Sequence, residues 1–316
     1  MLPKKVFHVN DCAQVALTIV TAARARGLDW KLHNIPQGRL GRFLRPVDAY
    51  CAMRGSVDVV HVHYGLHYPY IAAAPSECVR VVHLHGSDVN VDLLRGGLRR
   101  KLVLASLQVS DRVVFSTPNL ESVVRSFRPD AVFVPGALSV VNSIKDERRT
   151  GRVVVASRWD ESKGSAAMLK TVEALIAEFP GIEVLGIDWG PDAPLARSLG
   201  VRLVPRMSED QYAKFVGSAS LAIGQHSVGS FGISELRCLA QGIPVVMPLE
   251  EWPGYVSATD RNLLAIDPRD SEWLERCGNA MLSSESLHDV ERQNWVAGYH
   301  GIDAVLKRLE MVYQQE

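Results

Sequence analysis

Apolar and polar positions along this chain alternate between strand-length apolar runs and stretches with helical spacing. Parallel sheets covered by helices on both faces produce this pattern, because a strand buried on both sides reads as a continuous apolar run. In the first half the predicted strands are 5–9, 57–62, 79–84, 112–116 and 131–134. Helices are predicted over 13–26, closed by Gly27, over 99–109, and over 119–128 behind Thr117-Pro118. In the second half the strands are 153–156, 183–186, 202–204, 221–223 and 244–247, and the helices 165–179, 208–216 and 233–241. The run from 143 to 151 is charged and has no apolar period, which predicts a linker over 144–151 between a domain at 1–143 and one at 152–288. From 289 to 315 the pattern is helical, with an apolar face of Trp295, Val296, Val305, Leu306, Leu309, Val312 and Tyr313.

The densest chemistry lies from Ser230 to Val246: a glycine turn, one short amphipathic helix and a buried strand. Gly232 lets backbone N–H groups approach a ligand, the helix start is positive, and Gly242 with Pro244 ends the helix. A phosphate is therefore expected at Ser230, Phe231, Gly232 and Ile233. Arg158 and Lys163, in Arg-Trp-Asp-Glu-Ser-Lys-Gly, stand where a strand passes into a helix. Doubly wound sheets bind ligands there, and two cations suit a pyrophosphate; the plainer alternative is an exposed Arg and a helix-start Lys. Glu235 fits a first-turn carboxylate favoured by the helix dipole, and Arg237 either a phosphate contact or a local salt bridge.

Histidines crowd the ends of two predicted strands. His85 lies between a strand and Gly86, in His83-Leu84-His85-Gly86-Ser87-Asp88, and His61, His63 and His67 follow the preceding strand. With no carboxylate or cysteine at ligand spacing, this second group reads as structural or substrate-lining, and no metal site is expected. Asn10-Asp11-Cys12-Ala13-Gln14 enters the first helix, with Asn10 or Asp11 as cap and the first N–H groups open to a donor phosphate or acceptor. Arg95, Arg99, Arg100 and Lys101 form one basic patch, either a solvated helix face or a contact for an anionic acceptor or surface; its leucines read as a core stripe.

Three of these segments, in this order, resemble family 4 glycosyltransferases of the GT-B fold: the His-Gly-Ser-Asp loop at 85–88, Arg-x4-Lys-Gly at 158–164, and Phe-Gly, helix, Ala-x-Gly-x-Pro-Val-Val at 231–246. The resemblance implies an α/β architecture of two Rossmann-like doubly wound domains facing a cleft, with 289–316 crossing back to the first domain. It implies transfer of a sugar, with retention of configuration and no metal or other cofactor, from a nucleoside-diphosphate donor to an acceptor of open identity: a saccharide, lipid-linked sugar, small molecule or modified nucleic acid. On the same grounds Arg158 and Lys163 hold the donor diphosphate, Ser230, Phe231, Gly232, Ile233, Glu235 and Arg237 line the donor site, and His85 faces the transferred sugar, with Asn10, Asp11, Ala13, Gln14 and Asp88 in acceptor or phosphate loops. The chain departs from the family at its paired glutamates, which fall on Gly229 and Arg237, and at the first loop, which lacks glycine. A nucleotide-sugar 2-epimerase and a noncatalytic scaffold on the same architecture stay open as alternatives.

Composition narrows the field. The 316 residues suffice for two domains, and 35 basic residues balance 35 acidic ones, which argues against a general affinity for nucleic acid. The first apolar run is shorter than a signal-peptide core, and no segment has the roughly 18 apolar residues of a membrane span. The five cysteines, Cys12, Cys51, Cys78, Cys238 and Cys277, show no Cys-x2-Cys pairing. A cytoplasmic protein with reduced thiols is expected, with peripheral membrane contact open.

Overall fold

The computed structural model of the chain describes residues 2–35, 53, 57–138, 149–282 and 287–314. It divides into two compact units, Met1–Ser139 with His300–Glu316, and Val140–Tyr299. Each is built on one six-stranded sheet. Among the described residues no helix is long and apolar enough to cross a membrane.

The first unit contains β1 (Lys5–Val9), β2 (Asp29–His33), β3 (Val59–His63), β4 (Val79–Leu84), β5 (Arg112–Phe115) and β6 (Val132–Phe133), all parallel, in the order β2-β1-β3-β4-β5-β6. Its core contains Val60, Val62, Val82, Leu84, Phe115 and Leu120, all buried, against Val103 and Leu107 of the helix Gly97–Val109. The second unit contains β7 (Arg149–Val155), β8 (Glu183–Ile187), β9 (Arg202–Val204), β10 (Ala219–Ile223), β11 (Val245–Val246) and β12 (Ala265–Ile266), also parallel, in the order β12-β11-β10-β7-β8-β9. Counted within the unit this is the dinucleotide-binding order 3-2-1-4-5-6, whose direction reverses between β7 and β10. Its core packs Val153, Val155, Leu221 and Ile223 against Met168, Val172 and Leu175 of the helix Ser165–Glu178.

Several expectations needed correction. β2 was not anticipated, although Trp30 and Leu32 alternate with Asp29, Lys31 and His33 as an edge strand does. The second sheet begins at Arg149 rather than near 153, because Arg149 donates to the Ser218 carbonyl at 2.9 Å and a register shift between Ala219 and Leu221 accommodates the extra residues. Residues 144–148 of the expected linker, Cys51 and Gln315 lie outside the described residues. The tail forms two helices, Leu287–His300 and Ile302–Gln314, with Leu138 N–H donating to the His300 carbonyl at 2.9 Å beside the break. Of the leucines expected to form a core stripe, Leu93 is buried in the core, whereas Leu94 and Leu98 are 62% and 71% exposed. Gly96 and Gly97, both at positive φ, turn the chain between them.

Candidate functional site

In the second unit the loops leaving β7 and β10 lie side by side at the reversal of strand order. They are stitched together by backbone: His226 N–H donates to the Lys163 carbonyl at 2.8 Å. The approach is so close that a Cβ on Gly164 would sit 2.7 Å from the His226 carbonyl carbon, and Gly164 also has φ +73°. Only glycine fits both conditions. Asp160 caps the turn Glu161–Lys163 by accepting from Ser162 N–H at 2.9 Å, so the basic side chains start from a fixed backbone.

Lys163 is half-buried, with Nζ 3.3 Å from Gln225 Oε1. Gln225 is itself buried and donates Nε2–H to the Ser230 carbonyl at 2.9 Å, linking the lysine to the glycine turn. Arg158 donates to Ser162 Oγ at 3.1 Å and stands 5.6 Å from the Trp189 ring, while its Nε is buried without a hydrogen-bond partner. Arg206 covers the same ring at 4.5 Å. Trp189, Arg206 and Gln225 were missed by the sequence reading: they come from the ends of β8, β9 and β10, and nothing local marks them as neighbours.

Glu235 is buried, and its carboxylate accepts from Ser157 Oγ at 3.0 Å, Gln225 N–H at 3.0 Å and Gly232 N–H at 2.9 Å, so it ties the ends of β7 and β10 to the glycine turn. Two of the N–H groups expected in the phosphate cradle are engaged within the protein. Gly232 N–H is taken by Glu235 and Ser230 N–H by the Val228 carbonyl at 2.8 Å, which leaves Phe231 and Ile233 N–H at the turn. The Phe231 side chain is buried, edge-on to Trp295 at 5.8 Å. Arg237 pairs with Glu209 and stands 5.7 Å from the Tyr212 ring, the local salt bridge of the two readings given for it. At Gly229 a Cβ would lie 2.2 Å from Glu250 Cγ, so the Glu250 side chain, paired with Arg269 at 2.7 Å, occupies the space a residue there would need.

In the first unit Asp88 is buried and accepts N–H bonds from Gly65, His85, Gly86 and Val89 at 2.9–3.2 Å. It fixes the His85–Gly86 turn, and its carboxylate faces backbone N–H groups rather than solvent. Burial pushes its carboxyl up to about 6, against the backbone N–H groups that favour the anion. The loop after β1 places Asn10, Ala13 and Gln14 at φ +66°, +51° and +65°. Glycine would adopt these angles without strain, yet the backbone is left-handed here without one. Asp11 caps the following helix, accepting from Ala16 and Leu17 N–H at 3.0 and 3.3 Å, and Asn10 Nδ2 donates to the His63 carbonyl at 3.1 Å.

His8, His61, His63 and His83 are fully buried and His85 half-buried, side by side on one face of the first sheet. Parallel register puts His8 beside His61 and His63 beside His83. Ring nitrogens meet from His8 to His63 at 3.0 Å, His63 to His85 at 2.9 Å, His61 to His83 at 3.2 Å, and His61 to Tyr313 Oη at 2.7 Å. Burial holds all five imidazoles below their ordinary range, His8 and His85 at about 3. Cys12, Cys78, Cys238 and Cys277 are free thiols raised by burial, Cys12 to about 12.

No family model matches the chain. A phosphatidyl-myo-inositol mannosyltransferase of Mycolicibacterium smegmatis is 26% identical over 212 residues, 61% of this chain and 53% of that protein, so the chain spans about half the length of this curated relative. The sucrose-phosphate synthase of Thermosynechococcus elongatus superposes with a TM-score of 0.67 at 15% identity, covering 98% of both chains. An Anabaena protein solved with UDP and glucose gives a TM-score of 0.67 at 10% identity, over 97% of this chain and 98% of that one. With these likenesses and two parallel six-stranded sheets, the chain has a divergent form of the GT-B glycosyltransferase fold, two Rossmann-like α/β domains.

Proposed function

We propose that the chain is a glycosyltransferase that moves a sugar from a nucleoside-diphosphate donor to an acceptor, with the donor held by the second unit. The carrying observation is the Arg158–Lys163 pair at the reversal of strand order, with Arg158 Nε buried and without a partner. A diphosphate there would accept from both cations and from Phe231 and Ile233 N–H. As the glycosidic bond breaks, negative charge grows on the departing diphosphate, and fixed cations stabilise it without reorganising. Trp189, between Arg158 and Arg206, offers an aromatic face beside this pair. Following the resemblance, His85 hydrogen-bonds a hydroxyl of the transferred sugar, configuration is retained, and transfer needs no metal. The mannosyltransferase relative and the neighbour holding UDP and glucose support the reaction class.

Thermal shifts with uridine, guanosine, adenosine and thymidine diphosphates test the donor site, because a ligand that binds only the folded state raises its stability. Stabilisation by one of them, reduced in Lys163→Ala, is the expected result. A lost charge-assisted hydrogen bond of about 1.5–3 kcal/mol weakens binding by roughly 10- to 150-fold. No shift with any diphosphate, or equal affinity in Lys163→Ala, overturns the assignment. Isomerised sugar released without an acceptor would identify an epimerase instead.

A further inference from the structure

We propose that His63, His83 and His85 bind one divalent cation of the zinc class. One ring nitrogen from each lies within 4.8 Å of the others. His63 and His83 are direct partners across β3 and β4, and His85 is two residues beyond His83 on the same face. Imidazole is the ligand shared by zinc, cobalt, nickel and copper sites, and three such ligands with an open fourth position suit a four-coordinate ion.

The hydrogen bonds distinguish ligands from supports. His83 Nε2 is buried and makes no hydrogen bond of good geometry, although the Val134 backbone lies beside the ring, whereas its Nδ1 meets His61 Nε2 at 3.2 Å, and His61 Nδ1 meets Tyr313 Oη at 2.7 Å. His63 Nε2 meets His8 Nδ1 at 3.0 Å, which leaves His63 Nδ1 facing His85 Nε2 at 2.9 Å. The ligand atoms are then His63 Nδ1, His83 Nε2 and His85 Nε2, with His8, His61 and Tyr313 behind them, which leaves His85 Nδ1 for the sugar hydroxyl assigned to that residue above. Metal-bound imidazoles are ordinarily held from their far nitrogen in this way. At zinc–nitrogen bonds of about 2.0–2.1 Å, tetrahedral ligand atoms stand roughly 3.3 Å apart. The His63–His85 pair, at 2.9 Å, would open by a few tenths of an ångström.

A second convergence, His8, His61 and His63, is the weaker candidate. All three rings are fully buried, and a dication on three neutral ligands there would have neither a carboxylate nor water to offset its desolvation. Around His85, which is half-buried, solvent can supply a water or hydroxide as fourth ligand, and Asp88 places a carboxylate behind the loop.

The test uses the full chain, stripped with chelator and without donor or acceptor, so it is independent of the glycosyltransferase reading. Titration with Co2+ should give the intense visible bands of a four-coordinate ion, saturating at one equivalent and displaced by Zn2+. His83→Ala should weaken Co2+ binding by on the order of 100-fold or more, since changes merely behind the ligands cost 10- to 100-fold. His85→Ala, at a half-buried position, gives the same answer if His83→Ala fails to fold by circular dichroism. Co2+ that keeps the weak spectrum of the hydrated ion in folded wild-type protein overturns the proposal, as does undiminished binding in a folded variant.

Discussion

Acidifying the protein from pH 7.5 to 5.5 should remove a large part of the first unit's stability. His8, His61, His63 and His83 are fully buried, and desolvation holds each imidazole below its usual range. A group whose folded pKa is depressed takes up protons more readily when unfolded, so its stabilising contribution is complete above about 6.5 and is lost as pH falls below that value. One unit below the unfolded pKa, each ring costs about 1.4 kcal/mol, and four together cost about 5–6 kcal/mol. Domains are stable by only about 5–15 kcal/mol, so the effect is comparable with the whole. Urea unfolding followed by circular dichroism in chelator, at half-unit pH steps, measures it directly. A fall of less than about 2 kcal/mol over this interval would show that the rings are solvated or already charged, and the argument from burial would fail.

Gly190→Ala should cost roughly 3 kcal/mol or more, or prevent folding, because the new Cβ would lie 2.0 Å from the Trp159 carbonyl oxygen at φ +119°; urea titration decides, and a near-neutral result refutes the close approach. Ala13→Gly should stabilise the protein by up to about 1 kcal/mol by relieving φ +51° at an exposed position, whereas destabilisation would show that the loop is not left-handed there. Glu235→Gln should cost about 1–3 kcal/mol, since an amide nitrogen would face one of three donors, and should weaken diphosphate binding by distorting the turn. Unchanged calorimetric affinity in a folded Glu235→Gln protein would remove its positioning role.

The chain by itself determined the fold class, because strands buried on both faces must be apolar throughout and the segments between them must carry helical spacing. β1, β4 and β9 were legible to the residue. β2, with one apolar side chain in two, and β12, two residues long, carry too little local signal. At the candidate donor site Arg158 and Lys163 were legible because both sit in one strand-to-helix segment. Trp189, Arg206 and Gln225 reach them only through the strand order that places β7 between β8 and β10. The histidines make the same point more sharply. Read along the chain, His8, His61, His63 and His83 on three strands, and His85 just past the third, are scattered polar residues without metal-ligand spacing. Parallel register aligns them on one face, and burial strips His8, His61, His63 and His83 of water, so their N–H groups and lone pairs must pair with one another or with an ion; that requirement exists only in the tertiary structure.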